Sequence, residues 1–329
     1  MLKTILVTGG AGYIGSHMIK LLHEKNYRVV TFDNLSTGYR NAITDGDFVF
    51  GDLQDKQALN KLFTEYRFDA VMHFAGVISV GESMKDPAKY YDNNVTGTLN
   101  LLNAMRNHHV KRIIFSSTAA IFGEPKTDMI SESHQKLPIN PYGWSKFIIE
   151  NALRDFYNAY GIKYGILRYF NASGADVSAT LGERHYPETH LIPLAIFAAL
   201  SKNHTLTIFG NDYPTNDGTC IRDYIHICDL CEAHLLVLNE LMNNAECLEY
   251  NLGNGKGYSV LDVIKAVELI SEKPVKKQFS NRRAGDPSQL IADSTAIRKS
   301  LGWQPQYEVL ETIVSHALAW ETSSKRYLQ

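Results

Sequence analysis

The chain has 329 residues, enough for a large hydrophobic core and one or two domains. Its 44% hydrophobic and 21% charged residues are ordinary for a globular protein, and a net charge of −2 gives no electrostatic case for nucleic acid or an anionic membrane. No apolar run approaches the ~20 residues that a bilayer span needs. Four cysteines in this length do not make a disulfide scaffold, so a reducing, cytoplasmic setting is expected.

Lys3–Thr8 reads as a short, β-branched, buried strand, and its apolar Ile5-Leu6-Val7 is too short for a signal peptide. It runs into Gly9-Gly10-Ala11-Gly12-Tyr13-Ile14-Gly15, and an amphipathic helix follows to about Lys25. Glycines let a backbone approach a pyrophosphate closely, and a helix N-terminus supplies free N–H groups and a positive dipole end. Strand, Gly loop and helix together are the context that gives this Gly pattern meaning. A second strand, Arg28–Phe32, ends at Asp33, whose carboxylate can accept from an adenosine ribose and would repel a 2′-phosphate, favouring NAD over NADP. Phe48–Phe50 forms a third strand, and Asp52 after it can reach an adenine amino group or simply shape a turn. Gln57–Tyr66 reads as helix and Asp69–Phe74 as a fourth strand, ending in Phe74-Ala75-Gly76, where small residues leave room for a diphosphate.

One helical stretch is expected from about Pro87 to Asn107, then a fifth strand, Val110–Ser116, running into Ser117-Thr118-Ala119. Thr118 suits either a substrate alcohol or a strand-end cap. Asn140-Pro141 opens a helix to about Tyr160. Tyr142 and Lys146, four apart, share one face of it. A phenol is a poor base near neutrality, but nearby positive charge favours the phenolate, so Tyr142 beside Lys146 and a cationic nicotinamide can take a proton from an alcohol. Gly165–Tyr169 is a sixth strand, leading to Phe170-Asn171.

This alternation predicts an α/β fold with a doubly wound, Rossmann-like parallel sheet in residues 1–171. Residues 172–329 read as a smaller, mixed α/β substrate domain, with the option that a segment near 222–253 returns to the first. In it, 172–190 looks like loop, Leu191–Ser201 helix, Thr205–Phe209 strand, and a helix starts at about Asp229. Glu249–Leu252 reads as strand and Leu261–Ser271 as helix, and a long tail completes the chain. Cys228-x-x-Cys231 with His226 and His234 invites a zinc reading, but Cys231 and His234 fall at helical spacing beside Leu230 and Leu235, so no metal is expected there.

With these residues in place, the chain resembles the extended short-chain dehydrogenase/reductase superfamily and, within it, the UDP-glucose 4-epimerase family. The resemblance runs over nearly the whole length. It rests on Thr8–Gly15, Asp33-Asn34, Phe74-Ala75-Gly76, Val80–Ser83, Tyr90-Tyr91, Asn93-Asn94, Phe115–Thr118, Tyr142, Lys146 and Arg168–Asn171. In the second half it rests on Ile208–Pro214, Arg222–His226, Asn251–Gly253 and Arg282–Asp286. It implies a tightly held NAD contacted by Gly9, Gly12, Tyr13, Ile14, Gly15, Asp33, Asn34, Asp52, Leu53, Phe74, Ala75, Gly76, Asn93, Ser116, Tyr142, Lys146, Tyr169 and Phe170. It implies a UDP-sugar contacted by Thr118, Tyr142, Asn171, His190, Leu191, Ile208, Phe209, Arg222, Arg283, Asp286 and Leu290, with Arg282 fitting less well than Arg283. Tyr142, Lys146 and Thr118 are the implied catalytic group: oxidation at sugar C4, a 4-keto sugar that turns over, and hydride return to its other face. A homodimer paired through helices near 87–107 and 142–160 is also implied.

Departures from the family pattern are Ile78 for a Lys near the cofactor, His190 for an Asn at the nucleotide sugar, Thr118 for a Ser, and Leu290 where a Tyr tends to exclude N-acetylated sugars. A 4,6-dehydratase fits less well, because Ala119-Ala120 stand where those relatives carry Asp-Glu. A uronate or pentose epimerase stays open, as does an NAD-sensing protein without chemistry, although the latter has no need of Tyr142, Lys146 and Thr118 together.

Overall fold

The computed structural model describes residues 2–201, 203–243, 245–283 and 285–327. Strands and helices alternate as β1 (Thr4–Thr8), α1 (Tyr13–Glu24), β2 (Arg28–Asp33), β3 (Asp47–Phe50), α2 (Lys56–Glu65) and β4 (Ala70–His73). Short helices α3 (Val80–Ser83) and α4 (Pro87–Tyr90) precede a π-helical segment, Tyr91–Thr96, which runs into α5 (Gly97–Asn107). Then come β5 (Arg112–Thr118), α6 (Pro141–Tyr160), β6 (Lys163–Tyr169), β7 (Asn171–Ser173), α7 (Leu191–Leu200), β8 (Leu206–Phe209), β9 (Ile221–His226), α8 (Ile227–Met242) and β10 (Leu248–Leu252). The chain continues through β11 (Gly257–Ser259), α9 (Val260–Ser271), β12 (Lys277–Ser280), β13 (Gln289–Leu290), α10 (Thr295–Leu301) and α11 (Leu310–Thr322).

Two compact units emerge. The first comprises Met1–Gly123, Gln135–Arg168 and Cys231–Tyr250, and the second Glu124–His134, Tyr169–Leu230 and Asn251–Gln329. The first is built on a seven-stranded sheet in the order β10-β6-β5-β4-β1-β2-β3. β1 lies between β2 and β4 and is parallel to both. The chain therefore leaves β1 toward one edge and later returns on its other side, which makes the β1/β4 boundary the switch point where such sheets open a crevice at their carboxyl ends. The inner strands β1, β2 and β4 are buried along nearly their whole length, as in sheets covered on both faces. Leu6, Val30, Phe32, Val71, Ile113 and Phe115 meet Leu59, Leu62, Leu101, Met105, Ile149 and Leu153 from α2, α5 and α6 in one apolar cluster.

Helix α6 has a defined start and stop. The Asn140 side chain accepts from Gly143 N at 2.8 Å, Pro141 occupies the first turn, and Gly161 closes the helix in the left-handed region at φ 66°. Its buried Glu150 fastens it to the sheet. Arg168 of β6 donates to both Glu150 oxygens, Nε to Oε1 and Nη2 to Oε2, each at 2.7 Å. Ser117 Oγ of β5 donates to Glu150 Oε1 at 2.7 Å. Glu249 of β10 pairs with Arg168 and, at 2.8 Å, with Arg154 of α6. The network thus spans α6, β5, β6 and β10.

In the second unit β9 is central to a small sheet: β11 pairs with it antiparallel, and β7 and β13 pair with it in parallel. β8 and β12 form a separate parallel pair. The core gathers Ile192 and Ile196 of α7, Ile208 of β8, Val263 and Val267 of α9, and Ile313, Val314 and Ala317 of α11.

Four sequence expectations change. The stretch from Pro87 to Asn107 is not one continuous α-helix, because Tyr91–Thr96 winds in wider π turns. Arg222–His226, for which no strand was expected, is one, with Tyr224 and Ile225 buried, and it leads straight into α8, which starts at Ile227 rather than about Asp229. Asn171–Ser173, at the head of the expected loop, pairs with β9. The C-terminal tail contains two helices: Leu310, Ile313, Val314 and Ala317 recur at helical spacing and are buried.

Removing one partner of a buried ion pair leaves a desolvated charge and costs about 3–5 kcal/mol. Arg168→Met is accordingly expected to lower the unfolding free energy by that order, read as a lower urea midpoint at unchanged m-value, and an unchanged midpoint would show that the network adds nothing net.

Candidate active site

The Gly loop and the Phe74–Gly76 loop meet at the switch point. Phe74 N and Ala75 N donate to Thr8 O at 3.0 and 3.1 Å, and Gly9 N donates to Phe32 O at 3.0 Å. Gly9 sits at φ +73°, and a Cβ there would lie 2.4 Å from Ala75 N, so only glycine fits. Gly12 is the N-cap of α1, makes no side-chain cap, and the first turn through Tyr13, Ile14 and Gly15 carries no acidic residue. That helix end therefore keeps N–H donors and a positive dipole end for an anion. Asp33 ends β2 buried; its Oδ2 accepts from Ala11 N at 2.9 Å and its Oδ1 from Leu35 N at 2.8 Å. Burial pushes its pKa up, and these two donors pull it down. Asn34 Nδ2 donates to Asp52 Oδ2 at 2.7 Å, while Asp52 Oδ1 caps Gln54 N at 2.8 Å, so Asp52 shapes a turn as well as facing Asn34. Leu53 lies against Gly97, and its carbonyl accepts from Asn100 at 3.0 Å. Asn93 Nδ2 donates to Lys89 O at 2.9 Å on an exposed turn. A Gly-lined turn at the switch point, an uncapped helix end and a strand-end carboxylate together fit NAD.

On α6, Tyr142 and Lys146 face the end of β5. Lys146 Nζ donates to Ser116 O at 2.9 Å and lies 4.9 Å from the Phe115 ring centroid. Burial lowers its pKa to about 8. Thr118 Oγ1 accepts from Ala120 N at 3.1 Å and also hydrogen-bonds the Tyr142 phenol. The cap and the site contact therefore coexist in one hydroxyl. The Tyr142 phenol moves the other way from expectation: burial raises its pKa, and Thr118, not Lys146, pulls it down. A phenol cut off from water disfavours its anion unless more positive charge arrives.

Sequence reading passed over several residues around this pair. Asn94, buried in the π-helical segment, donates to Val77 O at 3.0 Å and to Ser145 Oγ at 3.0 Å, and accepts from Val77 N at 2.9 Å. It joins the backbone after Gly76 to the Tyr142 helix. His73 is buried between Thr8 Oγ1 at 2.7 Å and Thr98 Oγ1 at 2.8 Å. Thr98 spends its own proton on Asn94 O at 2.6 Å, so His73 Nε2 is the donor and Nδ1 accepts from Thr8. Burial and the Lys146 charge hold His73 neutral, with a pKa near 3. The Asn93-Asn94 pair and Arg168–Asn171 were visible as motifs; nothing in the spacing of His73 or Glu150 set them apart from ordinary polar residues.

In the second unit, Leu290 pairs in register with Arg222 across β13 and β9. Arg222 Nη2 is 3.8 Å from Asp286 Oδ1, and Arg283 stacks over the Phe209 ring at 4.4 Å. Arg282 is occupied elsewhere, bonding Asp212 Oδ1 at 2.7 Å and covering the Tyr213 ring. Asp223, next to Arg222, points inward and accepts from Asn254 N at 2.8 Å, Gly255 N at 3.0 Å and Ala292 N at 3.1 Å. A Cβ on Gly253 would lie 2.4 Å from its Oδ2, which explains the glycine of the Asn251–Gly253 motif. Tyr169 ends β6, Phe170 follows half-buried, and Asn171 opens β7. Ile208 is 1% exposed and paired with Phe279 of β12, so it presents no open surface, whereas Phe209 is 38% exposed. His190 is the N-cap of α7 and Leu191 its first residue; His190 Nδ1 lies 2.6 Å from Glu183 Oε1, so that nitrogen is already engaged.

A lysine whose folded pKa is depressed costs stability at low pH, and the cost fades as pH rises from the folded toward the unfolded value. Lys146→Met is therefore expected to stabilise NAD-free protein at pH 7 by up to about 3 kcal/mol, less the lost bond to Ser116. The difference from wild type should shrink between about pH 8 and 10.5 in denaturation curves. A difference independent of pH would show that Lys146 is not desolvated.

Residues 6–315 match the GDP-mannose 4,6 dehydratase family model. A UDP-glucose 4-epimerase of Halalkalibacterium halodurans is 48% identical over 96% of this chain and 95% of its own. The structure of a UDP-glucose 4-epimerase from Bifidobacterium longum with NAD+ and UDP is 38% identical, with TM-score 0.93 over 97% of this chain and 98% of that one. That of the UDP-Glc/GlcNAc 4-epimerase from Campylobacter jejuni is 45% identical, with TM-score 0.84 over 97% and 99%. Combined with the Gly loop, Asp33 and the Thr118–Tyr142–Lys146 group, these likenesses place the chain: it belongs to the extended short-chain dehydrogenase/reductases and, within them, to the UDP-glucose 4-epimerases.

Proposed function

We propose that this NAD-dependent UDP-sugar 4-epimerase interconverts UDP-galactose and UDP-glucose, with Tyr142 taking and returning the proton of the sugar 4-hydroxyl. The observation that carries the assignment is the half-buried Tyr142 phenol hydrogen-bonded to Thr118, one helical turn from the buried Lys146. NAD supplies a hydride acceptor for sugar C4 and gives the hydride back. The rest falls to the chain. Gly9, Gly12, Tyr13, Ile14 and Gly15 cradle the diphosphate, Asp33 and Asn34 hold the adenosine ribose, and Asp52, Leu53, Phe74, Ala75, Gly76, Asn93, Ser116, Tyr169 and Phe170 line the remaining contacts.

Burial makes Tyr142 a weak acid in the resting protein, so it becomes a base only when positive charge is brought up to it. Lys146 supplies part of that charge; with its pKa at about 8 it is still mainly protonated at pH 7. Thr118 stabilises the phenolate and orients the sugar oxygen. Asn171, Leu191, Phe209, Arg222, Arg283, Asp286 and Leu290 hold the UDP-sugar, with Arg222 and Arg283 matching the diphosphate by their fixed charge and planar donors. A firm grip on UDP and a loose one on the sugar lets the 4-keto intermediate turn before hydride returns.

Leu290, smaller than Tyr, leaves room for an N-acetyl group, so UDP-GlcNAc and UDP-GalNAc are substrates as well; the 45% identity to a UDP-Glc/GlcNAc enzyme supports this. The active form is a homodimer, a reading supported by exposed Tyr91, Trp144 and Ile148 on the π-helical segment and α6. The four cysteines form no disulfide, which suits the cytoplasm.

Purified protein given UDP-galactose without added cofactor is expected to form UDP-glucose. Tyr142→Phe should lower turnover by about 10²–10⁴-fold while NAD content stays the same; full activity in that variant would remove Tyr142 from its role. Leu290→Tyr should abolish turnover of UDP-GalNAc and retain that of UDP-galactose, and a wild-type enzyme inert toward UDP-GalNAc would overturn the specificity reading.

A further inference from the structure

Ahead of α7, four side chains within eight residues turn toward one point. Glu183, His185, Glu188 and His190 each offer one ligand atom, and the four atoms lie within 4.8 Å of one another. His190 Nδ1 and His185 Nδ1 are 2.6 and 3.2 Å from the same oxygen, Glu183 Oε1. Glu188 Oε1 is 3.3 Å from His190 Nδ1, and Glu188 Oε2 is 3.8 Å from His185 Nδ1. The Glu183 and Glu188 side chains are only 6% and 5% exposed. Glu188 Oε2 is buried without a hydrogen-bond partner, and His185 Nδ1 is buried facing Glu183 Oε1 without good hydrogen-bond geometry. Buried polar atoms of this kind call for an explanation, an ion among them.

We propose that Glu183, His185, Glu188 and His190 form a structural site for a divalent cation of the zinc class. With neutral imidazoles the four side chains carry two negative charges, which one such ion balances. Zinc binds imidazole nitrogen and carboxylate oxygen at about 2.0–2.2 Å, so tetrahedral ligand atoms sit about 3.4 Å apart. The four His–Glu contacts above run from 2.6 to 3.8 Å around that value, the two to Glu188 through different oxygens, so the 2.6 Å pair would have to open and Glu188 would have to commit one oxygen to the ion. Two nitrogen donors disfavour magnesium and calcium, which take oxygen ligands. Four protein ligands leave no open position, so the ion holds structure rather than reacting. It would pin the 183–190 loop to the start of α7, where His190 is the N-cap. The surroundings are firm: Trp320 Nε1 donates to Glu183 O at 2.9 Å, and neighbouring Glu321 is paired with Arg326.

The test uses full-length enzyme purified without chelator. Elemental analysis is expected to find about one zinc ion per chain, and His185→Ala and Glu188→Gln to lose it. After chelator dialysis, wild-type protein titrated with Co²⁺ should develop the visible bands of a tetrahedral complex with no thiolate charge-transfer band, and its Tm should rise. Neither variant should respond. Absence of zinc together with absence of the cobalt bands overturns the proposal and leaves His190 as an imidazolium between two glutamates. A thiolate band would put the ion on Cys228 and Cys231 and overturns it equally. If the variants do not fold, the wild-type cobalt spectrum decides.

Discussion

The buried carboxylate of Glu150 is the contact on which the rest of the first unit depends. It ties α6, through Arg168, to β6 and, through Ser117, to β5 in one step. α6 bears Tyr142 and Lys146, and β5 bears Ser116 and Thr118. Desolvating two charges costs several kcal/mol per ion, so the pair is weak evidence for net stability. Its directional, two-pronged geometry is what sets the rotation and depth of the helix. Apolar packing of Ile149 and Leu153 against the sheet supplies attraction but tolerates sliding; the fork of Arg168 does not.

Stability and chemistry pull against each other at the same place. Lys146 is held almost fully out of water and Tyr142 beside it is pushed away from ionisation. Neither shift helps the folded state. Both make the phenol responsive to charge: its anion is disfavoured in the resting protein and becomes accessible once a cation is near. Neutral His73 below the pair adds no positive charge of its own, so the local potential is left to Lys146 and whatever binds.

Much of the first unit was legible because a buried parallel strand, a glycine turn and an amphipathic helix each leave a local pattern. β1, the Gly loop and α1 fall where periodicity puts them, and Asn140-Pro141 opens α6 as capping chemistry requires. The strand at Arg222–His226 was hidden because polar Arg222 and Asp223 break any apolar run, yet Asp223 is buried on three backbone N–H groups. That burial raises the Tyr142 pKa was not legible, because charge proximity can be read from i, i+4 spacing but desolvation cannot. The loop before α7 read as irregular; its two glutamates and two histidines converge only when folded.

The π-helical segment Tyr91–Thr96 has a meaning beyond its hydrogen bonds. An α-helix advances about 100° per residue, so its faces are fixed for its whole length. Asn94 must point at Val77 and Ser145, while Leu101, Leu102 and Met105 must point into the core. The wider turns work as a phase shifter between two stretches of helix, letting each keep its own azimuth. The same residues wound as regular α turns would rotate either the Asn94 contact or the α5 core face out of place.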